Sequence, residues 1–423
     1  MLKGRLAAGD CADWEYQRYN QRMKLSSLTR RIREKSTATQ GAEIDPWAVH
    51  KMATERASRG EAITLLSIGQ EVDEQTPPLI VDAAVTSLRA GRHHYADVRG
   101  EERLRSAIAS YHTRLTGQKA DSSMVTVFAG AQNALFSIAQ VLLEPEDEVI
   151  LIAPYYTTYQ ATFGAPGPTV TSVEVDASTR YELDVAHLLD QISDKTQVVV
   201  INAPNNPLGS RYSSTQLEAI VRKCIQHNVW LVMDAVYLDI VSPDSIDLPH
   251  TIAGIEDILI TVGSVSKSHR MTGWRMGWAV TPTSLSEHLY NLSVCMHYGL
   301  PPFIQDAAIA ALELAADTPP LVRATLDTRR QIAMEVLVNS APANVIDPEQ
   351  GMFILIDVEP LDTTAYNFAV ALLKATDVSV LPCDGFGPGG RYLVRIGLCV
   401  DGDELRDACR KITGFIASYR SDG

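Results

Sequence analysis

The sequence contains no run of apolar residues that approaches the roughly 18 residues needed by a membrane-spanning helix. Basic residues are in deficit too, because 37 Lys and Arg stand against 51 Asp and Glu and give a formal net charge of −14. A phosphate backbone is bound by a basic surface, so this balance argues against a nucleic-acid partner. We therefore expect a protein that binds neither a membrane nor a nucleic acid.

Cysteine is scarce, with six residues among 423 and none in a C-x-x-C pair or at metal-ligand spacing. This usage indicates a reduced, cytoplasmic setting and no metal site. Lys3 and Arg5 are not followed by an apolar segment, so we expect no signal peptide. Residues 1–22 form a poorly patterned extension, and both Met1 and Met23 stay open as translation starts.

From residue 124 onward, β-rich apolar runs alternate with helical patterns. Strands are predicted at Val125–Ala129, Val149–Ala153, Val170–Val175, Val198–Ile201, Trp230–Met233 and Ile258–Val262, and helices at 131–143, 155–162, 184–193 and 213–227. Such alternation predicts an α/β fold with a mostly parallel sheet and helices on both faces. Ligands of such sheets bind at the carboxyl ends of the strands.

The length of the chain and the segments outside this core predict two domains. After residue 284 the pattern is helical to about 340, and α+β segments follow with strands near Met352–Val358, Val378–Leu381 and Tyr392–Ile396. We predict a large domain over residues 65–310 and a smaller one over 311–423. Residues 23–64 are predicted to be an N-terminal helical segment that packs with the small domain.

The most informative stretch runs from Ser264 to Trp278. Lys267 follows a predicted buried strand, where desolvation favours the neutral amine that Schiff-base chemistry needs. Ser264, Ser266 and Arg275 offer two hydroxyls and a planar cation, which match a phosphate monoester. Together they indicate a phosphorylated aldehyde held by Lys267, which is pyridoxal phosphate. The alternative for Lys267 alone is a solvated loop end.

Other polar residues follow the predicted strands and open further candidates. Gly130-Ala131-Gln132 begins a helix and could bind an anion, although any such turn looks alike. Asn206, in a loop rich in Asn and Pro, could donate to a phenolate oxygen or belong to an ordinary turn. Asp234 could pair with a protonated pyridine nitrogen or cap a helix.

Aromatic and basic residues complete the set of candidates. Tyr237 could donate to a ring hydroxyl, and Tyr156 could stack on a cofactor ring or pack in the core. Arg395 lies in an apolar strand, where a cation is costly unless paired, either with a substrate carboxylate or with a protein acid. Gly69 ends an apolar run and permits close approach to a ligand, or it forms a turn.

In this order along the chain, the stretches resemble the fold-type I, class I/II aminotransferases of the aspartate aminotransferase superfamily. The resemblance covers about Leu65 to the C-terminus and rests on Ser264-Val265-Ser266-Lys267 with Arg275, on Asn205-Asn206-Pro207-Leu208-Gly209, and on Asp234-Ala235-Val236-Tyr237. It implies a seven-stranded, mostly parallel sheet in a large domain, a smaller α+β domain, pyridoxal 5'-phosphate as cofactor, and a homodimer with active sites at its interface. Ala235 and Cys383 depart from the usual pattern, at positions that do not hold the cofactor.

The resemblance also implies a role for each matching residue. Lys267 would be the Schiff-base lysine and proton shuttle, Asp234 would hold the pyridine nitrogen, Asn206 and Tyr237 the ring oxygen, and Tyr156 would stack on the ring. The phosphate would be bound at the Gly130 turn by Ala131, Gln132, Ser264, Ser266 and Arg275, with Tyr95 of the partner subunit. Arg395 would bind the substrate α-carboxylate, and Asn206 and Gly69 would also contact the substrate.

A closer resemblance is to the arginine–pyruvate transaminase subgroup, carried by stretches at residues 94–100, 266–275 and 303–308. It implies ping-pong transfer from an L-amino acid, arginine or another basic one, to a 2-oxo acid such as pyruvate or 2-oxoglutarate. Asp97 and Asp384 could pair with a guanidinium, or be solvated loop acids. An aspartate or aromatic aminotransferase and a β-lyase are the alternatives on this scaffold, while a transcription regulator is disfavoured because no helix-turn-helix signal precedes residue 65.

Overall fold

The computed structural model of the chain describes residues 26–37, 45–71, 75–175, 177, 181–348 and 350–419. The predictions for residues 1–22 and for Met23 lie outside this part of the chain. Along it the helices are α1 (Ser27–Thr37), α2 (Ala48–Ser58), α3 (Pro78–Arg89), α4 (Glu102–Thr116), α5 (Ala131–Leu142), α6 (Tyr159–Gly164), α7 (Val185–Gln191), α8 (Ser214–His227), α9 (Thr283–Met296), α10 (Pro302–Leu314), α11 (Thr318–Leu337), α12 (Ala365–Thr376) and α13 (Gly402–Ser418).

The largest sheet has seven strands, most of them parallel. Its members are β2 (Val125–Phe128), β3 (Glu148–Ala153), β4 (Thr169–Glu174), β5 (Thr196–Asn202), β6 (Trp230–Asp234), β7 (Leu259–Ser264) and β8 (Gly277–Val280), and they follow β1 (Thr64–Leu65) in the chain. The spatial order is β2-β8-β7-β6-β5-β3-β4, and β8 alone runs antiparallel to its neighbours. The predicted α/β fold with a mostly parallel seven-stranded sheet is confirmed.

Both faces of this sheet are buried, which explains why its strands are almost continuously apolar. In β3, Ile150 and Ile152 pack on one face with the α8 side of the molecule. Val149, Leu151 and Ala153 point to the opposite face and pack with α5. The two-residue period of a strand thus sends alternate side chains into two cores. The helices between the strands are therefore required to cover both faces.

Two smaller sheets are built mainly from the C-terminal part of the chain. One contains β9 (Asn344–Ile346), β10 (Phe353–Asp357), β12 (Leu381–Pro382) and β13 (Leu393–Gly397), and in the other β1 pairs in parallel with β11 (Val378–Ser379). Two backbone hydrogen bonds hold Leu66, the residue after β1, between β11 and β13. Its N–H donates to Ser379 O at 2.8 Å, and its carbonyl oxygen accepts from Gly397 N–H at 2.7 Å. The domain limits at residues 64/65 and 310/311 stay a prediction.

Most predicted elements appear within a few residues of their expected bounds, with two instructive exceptions. The four-residue strand β8 was not predicted, because Gly277–Val280 is short and directly continues the lysine stretch. The helix expected over 155–162 begins only at Tyr159. Pro302 and Pro319-Pro320 lie in the first turns of α10 and α11, where a missing backbone N–H costs nothing. Among the described residues, every helix is too short or too polar to cross a membrane.

Candidate active site

The carboxyl ends of β5, β6 and β7 open into a cavity of about 270 Å³. This is the edge where parallel strands present their ligands. The residues lining it include Trp47, Ile68, Gly69, Gln70, Ala131, Gln132, Tyr156, Tyr159, Asn202, Asn206, Asp234, Tyr237, Ser264, Ser266, Lys267, Thr272, Arg275, Phe353 and Arg395. Most of the site residues predicted from the sequence therefore line the same cavity.

Lys267 lies three residues beyond the last residue of β7 and points into this cavity. Its Nζ donates to the carbonyl oxygen of Gly69 at 2.6 Å. Desolvation lowers the pKa of the Lys267 amine to about 8, and the nearby Arg395 and Arg275 cations act in the same direction. A substantial fraction of the amine is therefore neutral and nucleophilic near neutral pH.

Asp234 is the last residue of β6 and is 5 % exposed. Its Oδ2 accepts a hydrogen bond from the Tyr159 hydroxyl at 2.5 Å, and its Oδ1 accepts one from the Val236 N–H at 3.2 Å. Burial raises the pKa of Asp234 to about 6, against the opposing effect of these two donors. The carboxylate is therefore mostly ionised at pH 7 despite its burial.

Asn206 links the two sides of the cavity. Its Nδ2 donates to the Tyr237 hydroxyl at 3.3 Å, and its Oδ1 accepts from Arg395 Nη1 at 2.8 Å. Its backbone N–H donates to Asn202 Oδ1 at 2.7 Å, and Asn202 Nδ2 donates to Asp234 O at 2.9 Å. The last residues of β5 and β6 thus fix the position of the Asn206 amide.

Arg395 is a buried cation that is 2 % exposed. Among the described residues, no Asp or Glu forms an ion pair with its guanidinium. Its Nη2 donates to Ser67 O at 3.2 Å, its guanidinium carbon lies 4.0 Å from the Phe353 ring centroid, and its Nε has no hydrogen-bond partner. A buried guanidinium is stable only when paired. Since no described acid pairs with Arg395, an anionic ligand stays the expected partner.

The turn at Gly130 forms a second cationic corner. Gly130 has a φ of +87°, and a Cβ there would lie 2.2 Å from Arg275 Nη2. Only glycine therefore lets the Arg275 guanidinium approach the start of α5. That helix has no side-chain cap at its N-terminus. Backbone N–H groups and a guanidinium at one helix start favour an anion.

Three further residues belong to this corner. Ser264 Oγ accepts from Ser266 N–H at 3.2 Å, which holds the turn before Lys267. The Gln132 amide donates to Thr162 Oγ1 and accepts from the Thr158 hydroxyl, each at 2.7 Å. The Gln132 side chain is therefore occupied, and its backbone N–H is the group expected to meet an anion.

Some predicted residues lie away from the cavity within one chain. Tyr95 is 88 % exposed and packs edge-to-face on Tyr298, with ring centroids 5.4 Å apart. Asp97 accepts a hydrogen bond from the Arg99 N–H in its own loop. Asp384 is half-buried and is not among the residues that line the cavity. Neither acid lines the cavity of its own chain, and their pairing with a substrate guanidinium stays a prediction.

Sequence patterns missed three aromatic residues of the cavity. The sequence offers one indication that Tyr159 belongs to the site, which is its spacing of three residues from Tyr156. The two rings pack edge-to-face with their centroids 5.9 Å apart. Phe353 lies opposite Gly397 in the β10–β13 register, and only strand pairing brings it under Arg395. Trp47 precedes α2, far away in the chain from the other lining residues.

The fold and this cavity define an α/β enzyme with a lysine, a carboxylate and an anion-binding corner at the strand ends. Comparison with known proteins agrees, because the family model for aminotransferase class I and II matches residues 61–412. The chain belongs to this family and is an aminotransferase.

Individual relatives support the assignment. The chain is 41% identical over 390 residues to the arginine–pyruvate transaminase of Pseudomonas aeruginosa, covering 92% of this chain and 97% of the relative. It is 27% identical over 379 residues to the aspartate aminotransferase of Bacillus subtilis, covering 88% and 96%. A structure of the Thermus thermophilus aspartate aminotransferase, a single mutant, matches with a TM-score of 0.84 and 26% identity, covering 93% and 99%.

The lowered pKa of Lys267 gives a direct test. Without cofactor, the amine should react with an acylating reagent in proportion to its neutral fraction, which rises through a midpoint near pH 8 rather than about 10.4 for an ordinary lysine. Labelling across pH 6–11, followed by peptide mass spectrometry, measures this midpoint. A midpoint above pH 10 would contradict the desolvation of the amine.

Proposed function

We propose that this aminotransferase uses pyridoxal 5'-phosphate to move an amino group from an L-amino acid to a 2-oxo acid by a ping-pong mechanism. The observation that carries the proposal is the meeting of Lys267, Asp234 and Arg395 in one cavity. A nucleophilic amine, a buried carboxylate and an unpaired guanidinium are what the aldehyde, the pyridine nitrogen and the substrate carboxylate require.

The residues present fit this cofactor. The corner made by Gly130, the start of α5 and Arg275 suits a phosphate, since a Cβ at residue 130 would occupy the space that the guanidinium takes. Ser264 and Ser266 add hydroxyls beside it. Asp234, ionised at neutral pH, suits a protonated ring nitrogen. Asn206 and Tyr237 suit the ring oxygen, and Tyr156 suits one ring face.

When bound, pyridoxal phosphate supplies an electron sink for the charge that develops at the substrate α-carbon. Asp234 holds the proton of the ring nitrogen and so keeps that sink effective. Arg395 binds the α-carboxylate and thereby orients the α-carbon. Lys267 would accept and carry the α-proton, a role that needs an amine with a pKa close to the working pH.

We further propose a homodimer in which Tyr95 of one subunit completes the phosphate corner of the other. An aromatic ring 88 % exposed, packed on Tyr298 that is itself 54 % exposed, forms an apolar patch of the kind that marks an interface. The loop is pre-organised, because Arg92 donates to Asp306 at 2.5 Å and also binds Glu101. Tyr95 is therefore presented on a rigid support.

The amino donor is proposed to be arginine or another basic amino acid, with pyruvate or 2-oxoglutarate as acceptor. Support comes from the 41% identity to an arginine–pyruvate transaminase. Trp47 at the cavity wall supports it also, since a guanidinium is attracted to an indole face.

Replacement of Lys267 tests the reaction itself. Lys267→Ala should lower kcat by at least about 100-fold, because the proton shuttle is lost, and should remove the absorption band that depends on the covalent link between the lysine and the cofactor. Steady-state kinetics and absorption spectra measure both effects. Lys195→Ala, at an exposed lysine, is the matched control and should leave both unchanged. Normal turnover in Lys267→Ala would refute the proposed role.

A panel of amino donors tests the substrate class. With 2-oxoglutarate as the common acceptor, arginine should give the highest kcat/KM, ahead of lysine, aspartate, phenylalanine and alanine. Arginine ranking below alanine and aspartate would overturn the assignment of the donor while leaving the reaction class intact. Release of ammonia and pyruvate from a cysteine conjugate, without any 2-oxo acid, would instead identify a β-lyase.

Subunit complementation tests the shared site. Tyr95→Ala and Lys267→Ala variants should each be weakly active, and mixing equal amounts through a dissociated state should restore about a quarter of the wild-type activity, since half of the dimers are hybrids with one intact site. Sedimentation equilibrium gives the oligomeric state. Absence of recovery from a mixture shown to contain hybrid dimers would refute the contribution of Tyr95.

A further inference from the structure

Asp234 depends on one side chain that the proposed reaction does not yet use. Tyr159, the first residue of α6, is 2 % exposed and donates its hydroxyl hydrogen to Asp234 Oδ2 at 2.5 Å. The other oxygen of the carboxylate accepts only a longer bond, from the Val236 N–H at 3.2 Å. Among the described side chains, Tyr159 is the one that hydrogen-bonds the Asp234 carboxylate.

The proton of this contact belongs to the tyrosine. Burial and the adjacent Asp234 charge raise the pKa of Tyr159 well above its usual value. Its hydroxyl therefore stays protonated at every working pH and acts as a permanent donor. A hydrogen bond donated to a carboxylate favours the ionised form over the protonated acid.

The other groups around Asp234 do not duplicate this contact. Tyr237 and Tyr156 are phenols whose pKa values burial raises, so both stay neutral. Among the described contacts, neither donates a hydrogen bond to Asp234. The cations Lys267, Arg275 and Arg395 line the same cavity. None of these three forms an ion pair or a hydrogen bond with Asp234 in the described structure; their own contacts go to Gly69, Thr272 and Asn206.

We propose that Tyr159 is a positioning residue that keeps the Asp234 carboxylate ionised and turned toward the ring nitrogen of the cofactor. The inference rests on the proposed use of pyridoxal phosphate and adds a residue that acts through Asp234 without touching substrate. Two donors fix the two carboxylate oxygens, which sets the plane of the group. With the donor lost, the shared proton moves from the ring nitrogen toward the carboxylate, and the ring becomes a weaker electron sink.

Tyr159→Phe removes the donor and keeps the ring that packs on Phe163. Loss of a hydrogen bond to a charged group corresponds to about one to two pKa units at Asp234. Since less positive charge then resides on the ring, the pH-dependent visible transition of the loaded, substrate-free enzyme should move upward by about one unit. The dissociation constant of pyridoxal phosphate, measured by fluorescence titration of the apoenzyme, should rise by about tenfold.

Tyr155→Phe is the matched control. Tyr155 is the neighbouring buried tyrosine, 3 % exposed, but its hydroxyl donates to Gln160 Oε1 at 3.3 Å and not to Asp234. This variant should leave the visible transition and the cofactor affinity unchanged. Equal effects of the two variants would indicate a loss of packing and would overturn the proposal.

A double-mutant cycle with Asp234→Asn isolates the pathway of the effect. If Tyr159 acts through the charge of Asp234, Tyr159→Phe should cause little further spectral shift in the Asp234→Asn background. A full additional shift there, or no shift in the wild-type background, would refute the inference. Because Lys267→Ala tests the cofactor reaction separately, failure here would leave the proposed function standing.

Discussion

The site depends on the burial of charged groups whose partners are not other protein charges. Lys267, Asp234 and Arg395 lie in one desolvated cavity, yet each makes its contacts with neutral groups of the chain. Desolvation lowers the pKa of the lysine and raises the pKa of the aspartate, so both pKa values move closer to pH 7. Buried charges of this kind favour ligands that carry the complementary charges, because a buried charge is stable when it is paired.

Hydrogen bonds and close contacts hold the backbone around the cavity in place. The segment Ser67–Gly69 offers its carbonyl oxygens to Arg395 at one end and to Lys267 at the other. The segment is held by β11 and β13 through Leu66, and His50 of α2 bonds the Ser67 hydroxyl at 2.8 Å. A Cβ at Gly397 would lie 2.8 Å from Ile68 O, so β13 approaches this segment as closely as glycine allows.

The sequence predicted those parts of the site in which chemistry and chain position coincide. Asp234 ends a buried strand, and Asn206 and Lys267 lie within four residues of the ends of two others. Parallel strands bring their carboxyl ends to a common edge. Tyr159 and Phe353 were missed because their roles arise from contacts with residues distant in the chain, Asp234 and Arg395. The spacing of Tyr159 from Tyr156 does not report such a contact. The strand β8 was missed for a related reason: it is antiparallel, short, and stabilised by its two neighbours rather than by its own composition.

The hydrogen bonds around Asn206 connect the substrate end of the cavity to the proposed cofactor end. Arg395 donates to the Asn206 oxygen while the Asn206 nitrogen donates to Tyr237, so the amide is polarised in one direction across the cavity. A carboxylate that pairs with Arg395 draws on the same guanidinium and weakens its hold on Asn206. In the proposed reaction, binding of the substrate carboxylate would therefore affect the donors proposed to face the ring oxygen, through two side chains that the backbone of β5 and β6 keeps in place.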